Sequence, residues 1–136
     1  MTHPMRTICE LRATLPATLE ALEAFVADFH LSGAYLRDDH ALFVGELLLR
    51  EALTNAVEHG CHREPSRRVR CRARLCSGRL TVAVADDGEG FDWRAAWTRR
   101  VDDLAARGRG LPIIRACATR LRFNRSGNAV TILKRF

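Results

Sequence analysis

Three polar residues recur at four-residue spacing in the segment ELLLREALTNAVEHG, namely Glu51, Asn55 and His59. Positions four apart stack on one face of a helix, so these side chains are expected to point into the same cleft. A carboxylate such as Glu51 can take a proton from a hydroxyl or water, and the amide oxygen of Asn55 suits Mg²⁺. The spacing by itself is more often a polar stripe that faces water on an amphipathic helix.

Two features of this segment favour a site over a solvated stripe. Leu47 and Leu48 fall on or beside the polar side, which indicates a helix that is buried around much of its circumference. Asparagine is a poor helix former, so an interior Asn55 requires a reason to be there.

A second candidate lies in VADDGEG, where an apolar strand stops at Asp86 and is followed by Gly88 and Gly90. An isolated aspartate at a strand end is usually a cap or a turn residue. Buried beside a purine, the Asp86 carboxylate could instead accept a hydrogen bond from an exocyclic amine and so select adenine. Glycines at the next positions would let the backbone approach a ligand closely.

A third candidate is the triplet Gly108, Arg109 and Gly110, which precedes a predicted helix. Free backbone N–H groups and the positive end of the helix dipole lie together at the start of a helix, so this triplet could bind a phosphate group. Arg109 adds a fixed positive charge that could contact a terminal phosphate. Neither glycine loop is a Walker A loop or a dinucleotide fingerprint, so each alone is by default a turn.

Hydrophobic periodicity and turn residues predict the elements that position these groups. The predicted strands cover residues 6–14, 67–75 and 79–86, with two more around the turn Ser126-Gly127-Asn128. The predicted helices cover residues 19–30, 39–60 and 110–120, with a short one over 93–106. This order predicts an α+β fold, in which helices pack on one face of a mostly antiparallel, mixed sheet.

Length and composition predict a single domain. The chain has 136 residues, 47% hydrophobic and 28% charged, and no apolar stretch long enough for a bilayer span. The start lacks the apolar core of a signal peptide, and the five cysteines are scattered, so a reducing cytoplasm is expected. The net charge of +6 invites a nucleic-acid hypothesis, but the arginines are spread along the chain without an aromatic face, so no direct nucleic-acid binding is expected.

Arginines at positions 68, 70, 72 and 74 alternate with apolar residues along one predicted strand. Such a row is most often the solvated outer face of a sheet. Docking of an acidic partner surface is the alternative.

The three candidate segments together resemble the nucleotide-binding boxes of the GHKL ATPase/kinase superfamily. Glu51-x-x-x-Asn55-Ala-x-x-His59 resembles the N box, Asp86-x-Gly88-x-Gly90 the G1 box, and Gly108-x-Gly110-Leu the G2 box. Val130-Thr131 after Gly127 is similar to the closing strand. The segments EALTNAVEHG and GRGLPIIRA resemble the corresponding segments of one branch of this superfamily, the anti-sigma-factor serine kinases. The resemblance covers roughly residues 5–136.

The resemblance implies a single domain over residues 5–136 with the Bergerat fold, a two-layer α/β sandwich. It implies that Glu51 is the general base, that Asn55 holds Mg²⁺ and that His59 lies near the phosphates of ATP.

For the nucleotide pocket, the resemblance implies that Asp86 reads adenine and that Gly88 and Gly90 shape the pocket. Gly108, Arg109 and Gly110 would belong to a lid over the phosphates. Thr131 would lie near the adenine end.

The family's activity would be transfer of the γ-phosphoryl group of Mg-ATP to a serine on a STAS-domain antagonist. Relatives exchange that antagonist for a sigma factor or another regulator, and they commonly form homodimers. The alternative is a non-catalytic module that binds nucleotide only to set its affinity for such a regulator.

Overall fold

The computed structural model describes residues 7–33, 39–76, 78–90 and 110–136. Within these ranges the chain forms five strands: β1 (Thr7–Pro16), β2 (Arg68–Cys76), β3 (Arg79–Asp86), β4 (Arg120–Phe123) and β5 (Ala129–Arg135). Three α-helices accompany them: α1 (Leu19–Gly33), α2 (Asp39–Asn55) and α3 (Gly110–Cys117). A π-helical turn, Ala56–Gly60, continues α2.

The strands form one sheet in the order β1-β2-β3-β5-β4, and each described pairing is antiparallel. Cys71 of β2 pairs with Ala13 of β1 on one side and with Val84 of β3 on the other. Val84 in turn pairs with Val130 of β5. Residues paired directly across strands share a face, so apolar side chains from neighbouring strands meet on one side of the sheet.

The core lies between that face and the helices. Alternate residues of β2 and β3 are buried, as the polar-apolar alternation predicts. Leu48, Leu49 and Leu53 of α2 are at most 1% exposed and pack against them, together with Phe29 of α1. The predicted α+β architecture, with helices on one face of the sheet, is confirmed.

Helix α1 begins with a side-chain cap. The hydroxyl of Thr18 accepts a hydrogen bond from the Ala21 backbone N–H at 3.1 Å, which satisfies one of the free donors of the first turn. Phe25, Val26 and Phe29 are buried at helical spacing, so the helix predicted over 19–30 is present and continues to Gly33.

The third helix is shorter than predicted. The pattern favours a helix over 110–120, but α3 ends at Cys117 with a last helical bond from Ala118 N–H to Ile114 O. Thr119 instead donates its N–H to Leu133 O, and Arg120 opens β4 opposite Leu133. The sheet therefore takes the backbone groups that would have continued the helix, because tertiary pairing overrides local propensity.

The short helix predicted over 93–106 lies outside the described residues. Among the residues that the structure describes, no helix combines the length and apolar character that crossing a bilayer requires.

Candidate functional site

The end of the second helical segment is wider than an α-helix. Residues 39–60 are helical throughout, as predicted, but the last turn is wound as a π-helix, with Cys61 N–H donating to Ala56 O at 2.8 Å. Single π turns inside helices are frequent at functional sites. His59 lies on this wider turn and is exposed, whereas Glu51 and Asn55 on α2 before it are half-buried.

The wider turn brings Gly60 against the end of β3. A Cβ atom at Gly60 would lie 2.6 Å from Asp86 Oδ1, closer than real Cβ contacts come. A Cβ atom at Gly88 would lie 2.8 Å from the same oxygen and would overlap the Gly60 carbonyl. The carboxylate of Asp86 is therefore held between two backbone segments that only glycine can form at this separation.

Asp86 is the buried charged residue of the described core, at 7% exposure. Its Oδ1 accepts a hydrogen bond from the Gly88 N–H at 2.8 Å, while Oδ2 accepts none from the described residues. Burial raises the pKa of this carboxyl, the Gly88 hydrogen bond lowers it, and the neighbouring charge of Asp87 raises it further. One acceptor of a buried acid thus remains open to a ligand donor.

The next carboxylate faces a different partner. Asp87 Oδ2 accepts the Arg68 N–H at 3.2 Å, and its Oδ1 lies 3.7 Å from Cys61 Sγ. Burial and the charges of the two aspartates raise the pKa of the Cys61 thiol to about 11. Asp87 therefore ties the loop to β2, which leaves Asp86 as the carboxylate that faces the cavity.

The turn between β4 and β5 supports the glycine loop from the other side. Asn124 Oδ1 accepts the backbone N–H groups of Gly127, Asn128 and Ala129 at 2.9–3.1 Å. Asn128 Nδ2 then donates to Gly88 O at 3.3 Å, and Asn128 O accepts the Asp86 N–H at 2.8 Å. These asparagines were not among the predicted site residues, although the Asn-x-x-Gly-Asn turn pattern is a signal for them.

The second glycine of the loop is packed against the same turn. Gly90 has φ +86°, and a Cβ atom there would overlap the Ser126 carbonyl. A left-handed backbone next to another backbone requires glycine.

Glu51 and Asn55 lie on α2 where it meets this region. Both are half-buried, and neither side chain forms a hydrogen bond or ion pair with a described residue. Burial raises the pKa of the Glu51 carboxyl, Arg50 lowers it and Glu58 raises it further. A half-buried acid with a raised pKa and no partner is suited to accept a proton.

Asn55 and Asp86 border one cavity, together with Ile114 of α3, Phe123 of β4 and Asn128. Its volume is about 20 Å³, well below the several hundred Å³ that a drug-sized ligand occupies. A ligand as large as a purine therefore has to widen this cavity when it enters.

Of the predicted site residues that the structure describes, Asn55 and Asp86 border the cavity, and Glu51, His59, Gly88, Gly90 and Thr131 do not. His59 is exposed on the π turn, and it does not border the cavity. Thr131, which was expected near the adenine end, pairs with Ala83 and Arg122 on the outer face of the sheet, whereas Val84, Val130 and Asp86 face the helices. Adjacent residues of a strand point to opposite faces, so Val130 takes the position expected of Thr131.

The remaining predictions concern the third glycine segment. Gly108 and Arg109 lie outside the described residues, and Gly110 is the first residue of α3. Within the described ranges, no three histidine, cysteine or carboxylate side chains lie close enough together to hold a metal ion.

The chain is similar in sequence to a known protein family and in fold to a solved kinase domain. The family model described as "Histidine kinase-like ATPase domain" matches residues 11–134. No curated protein sequence matches significantly. Among solved structures, the histidine kinase domain from the Erythrobacter litoralis EL346 blue-light activated histidine kinase superimposes with a TM-score of 0.51 at 22% identity. The match covers 88% of this chain and 61% of that chain, and at this identity it shows a shared fold.

Proposed function

The chain belongs to the histidine kinase-like ATPase domain family, and from that premise we propose that it is a serine kinase that uses Mg-ATP. The proposed substrate is a serine on a STAS-domain antagonist, and the proposed role is partner switching with a sigma factor or another regulator. The observation that carries nucleotide binding is the open acceptor oxygen of buried Asp86, held between Gly60 and Gly88.

The fit of adenine to this position follows from donor and acceptor chemistry. Asp86 Oδ2 accepts the exocyclic amine of adenine, while Gly88 and Gly90, packed against the Gly60 and Ser126 carbonyls, fix the loop that follows Asp86. Guanine presents a carbonyl oxygen at the corresponding position, which a carboxylate repels. The pocket therefore favours ATP over GTP.

Asn55 fits the metal that accompanies ATP. Mg²⁺ prefers one or two protein oxygens, with water and phosphate oxygens completing its shell, and the Asn55 amide has no competing partner among the described residues. Once bound, Mg²⁺ would neutralise charge on the phosphate oxygens.

Glu51 lies one helical turn before Asn55, so its carboxylate shares the face that the phosphates approach. With a pKa raised by burial, it accepts the proton of the attacking serine hydroxyl as the oxygen bonds to the γ-phosphorus. ADP leaves with the electron pair of the broken phosphoanhydride bond. Positioning and charge neutralisation supply most of the acceleration in such transfers.

Two measurements on purified protein test this proposal. Calorimetry with Mg-ATP measures binding, and radiolabelled ATP with a STAS-domain protein measures transfer to serine. Glu51→Gln is expected to bind Mg-ATP within about twofold of the wild type and to lose transfer by at least about a hundredfold. Transfer that survives this substitution would show that Glu51 is not the base. ATP binding by the wild type without any transfer would instead support a non-catalytic nucleotide-binding module.

A further inference from the structure

The outer face of the sheet, opposite the helices, is strongly basic. The arginines that the strand register places on this face are Arg12, Arg68, Arg70, Arg72, Arg74, Arg79, Arg120, Arg122 and Arg135. Among the described strand residues, Glu10 is the acidic residue on the same face. We name this surface the arginine face.

A groove of about 560 Å³ runs across the arginine face. Its lining includes Arg12, Arg70 and Arg72 on the β1–β2 side and Ala83 and Ala85 of β3. The small alanine side chains leave space in the groove, and the long arginine side chains supply positive charge. The arginine face therefore contains a groove that a partner segment could occupy, whereas a flat sheet face covered by water would not.

The positive charge of this face is only partly neutralised by carboxylates of the described residues. Arg12 and Arg72 are direct cross-strand partners, and like charges in that arrangement repel. Both approach the same Glu10 oxygen, Arg12 at 3.2 Å and Arg72 at 4.0 Å. Arg70 is exposed between Thr14 and Ala85 and forms no ion pair with a described residue. The Nε atom of Arg72 is buried without a hydrogen-bond acceptor in the described part of the chain.

We propose that the arginine face is a docking surface for an extended acidic segment of a partner protein. Arg70 and Arg72 lie two residues apart on a strand, about 6.6 Å along its axis. Carboxylates at alternate positions of an extended segment have the same spacing, and each guanidinium can bind a carboxylate with two parallel hydrogen bonds.

Other occupants fit less well. Single-stranded nucleic acid is held partly by stacking on aromatic rings, and the described strand residues of this face include none. A second copy of the chain would bring arginine against arginine. The arginine face is also on the opposite side of the sheet from Asp86, so the acidic segment and a nucleotide can be bound at the same time.

Fluorescence anisotropy with a labelled peptide of alternating glutamate and serine tests the proposal. The variant Arg70→Gln/Arg72→Gln removes two charges from the groove, and Arg63→Gln/Arg125→Gln removes two exposed charges elsewhere. Loss of two ion pairs is expected to weaken peptide binding about tenfold in the first variant and less than about twofold in the second. Equal weakening in both variants would overturn the proposal, because it would show attraction by net charge alone.

Two further measurements separate the alternatives. Single-stranded and duplex DNA are titrated under the same salt conditions, and tighter binding of either one, lost in the Arg70→Gln/Arg72→Gln variant, would overturn the acidic-protein occupant. Asp86→Asn is expected to leave peptide binding unchanged, since that site faces the helices. ATP binding by the Arg70→Gln/Arg72→Gln variant is likewise expected to match the wild type, which also shows that the variant is folded.

Discussion

The carboxylate of Asp86 lies directly against the α-carbon of Gly60, so that a methyl group at Gly60 would lie 2.6 Å from Asp86 Oδ1. This contact joins the π turn after α2 to the end of β3. It sets the orientation of the one buried acid that the described core contains. The geometry of the proposed adenine site therefore depends on a residue that has no side chain of its own.

Replacement of Gly60 by alanine is expected to displace Asp86. Overpacking of this kind costs about 1–3 kcal/mol of unfolding free energy, and ATP affinity is expected to fall by at least about tenfold as the carboxylate moves. Urea unfolding and calorimetry measure the two effects. Gly78→Asn is the control, because Gly78 has open space around it and asparagine tolerates its φ of +72°. Normal ATP affinity in folded Gly60→Ala would contradict the role of this contact.

Replacement of Asp86 by asparagine is expected to abolish the preference for ATP over GTP. Asparagine keeps an oxygen that can accept the Gly88 N–H, but its amide places donors where the carboxylate had an acceptor. ATP affinity is expected to fall about ten- to a hundredfold, because the amine of adenine then meets a donor. Competition between ATP and GTP for a fluorescent ATP analogue measures the change. An unchanged ATP/GTP ratio would place adenine recognition elsewhere.

The glycine loop, the helical segment and the antiparallel sheet could be predicted because each depends on local pattern. Asp86 and Gly88 follow an alternating strand, and Asn55 lies within a long apolar-periodic segment. The contact of Gly60 with Asp86 could not be predicted, because two segments meet there through the tertiary fold. The positions of His59 and Thr131 away from the cavity also depend on the tertiary fold.

His59 and Thr131 lie away from the cavity for different physical reasons. His59 lies on a π-helical turn, and residue spacing in the sequence does not show that the last turn is wound in this way. The face of Thr131 depends on strand register, and a shift of one residue reverses the face. Phase and register are set by packing, so motif spacing identifies a site more reliably than it orients each side chain.

Removal of the Asn124 side chain is expected to loosen the turn that supports the glycine loop. Asn124→Ala leaves three backbone N–H groups without their common acceptor, although water can reach this exposed turn. Unfolding free energy is expected to fall by about 1 kcal/mol, and ATP binding should weaken because Asn128 loses its fixed position. Ser126→Ala, which removes one hydrogen bond to Asn128, is the milder comparison. Equal effects of the two substitutions would show that the Asn124 acceptor is not what holds the turn.

The pH dependence of stability provides a separate test of the burial of Asp86. Its pKa is raised in the folded protein from an ordinary value of 3.8, mainly by burial. Well below pH 3.8 the carboxyl is protonated in both the folded and the unfolded state, and no charge is buried. As the pH rises through the higher folded pKa, the native state must bury an ionised carboxylate, and stability that was present at acid pH is lost. The unfolding free energy of Asp86→Asn minus that of the wild type is therefore expected to increase from pH 3.5 to pH 7.

Urea unfolding of both proteins across this range measures that difference. Glu51, whose pKa is also raised by burial, is present in both proteins, so its contribution cancels. A difference that decreases as the pH rises would mean that the native state favours the ionised form of Asp86. The carboxylate would then have a donor or cation partner that occupies Oδ2, and the acceptor proposed for adenine would not be open.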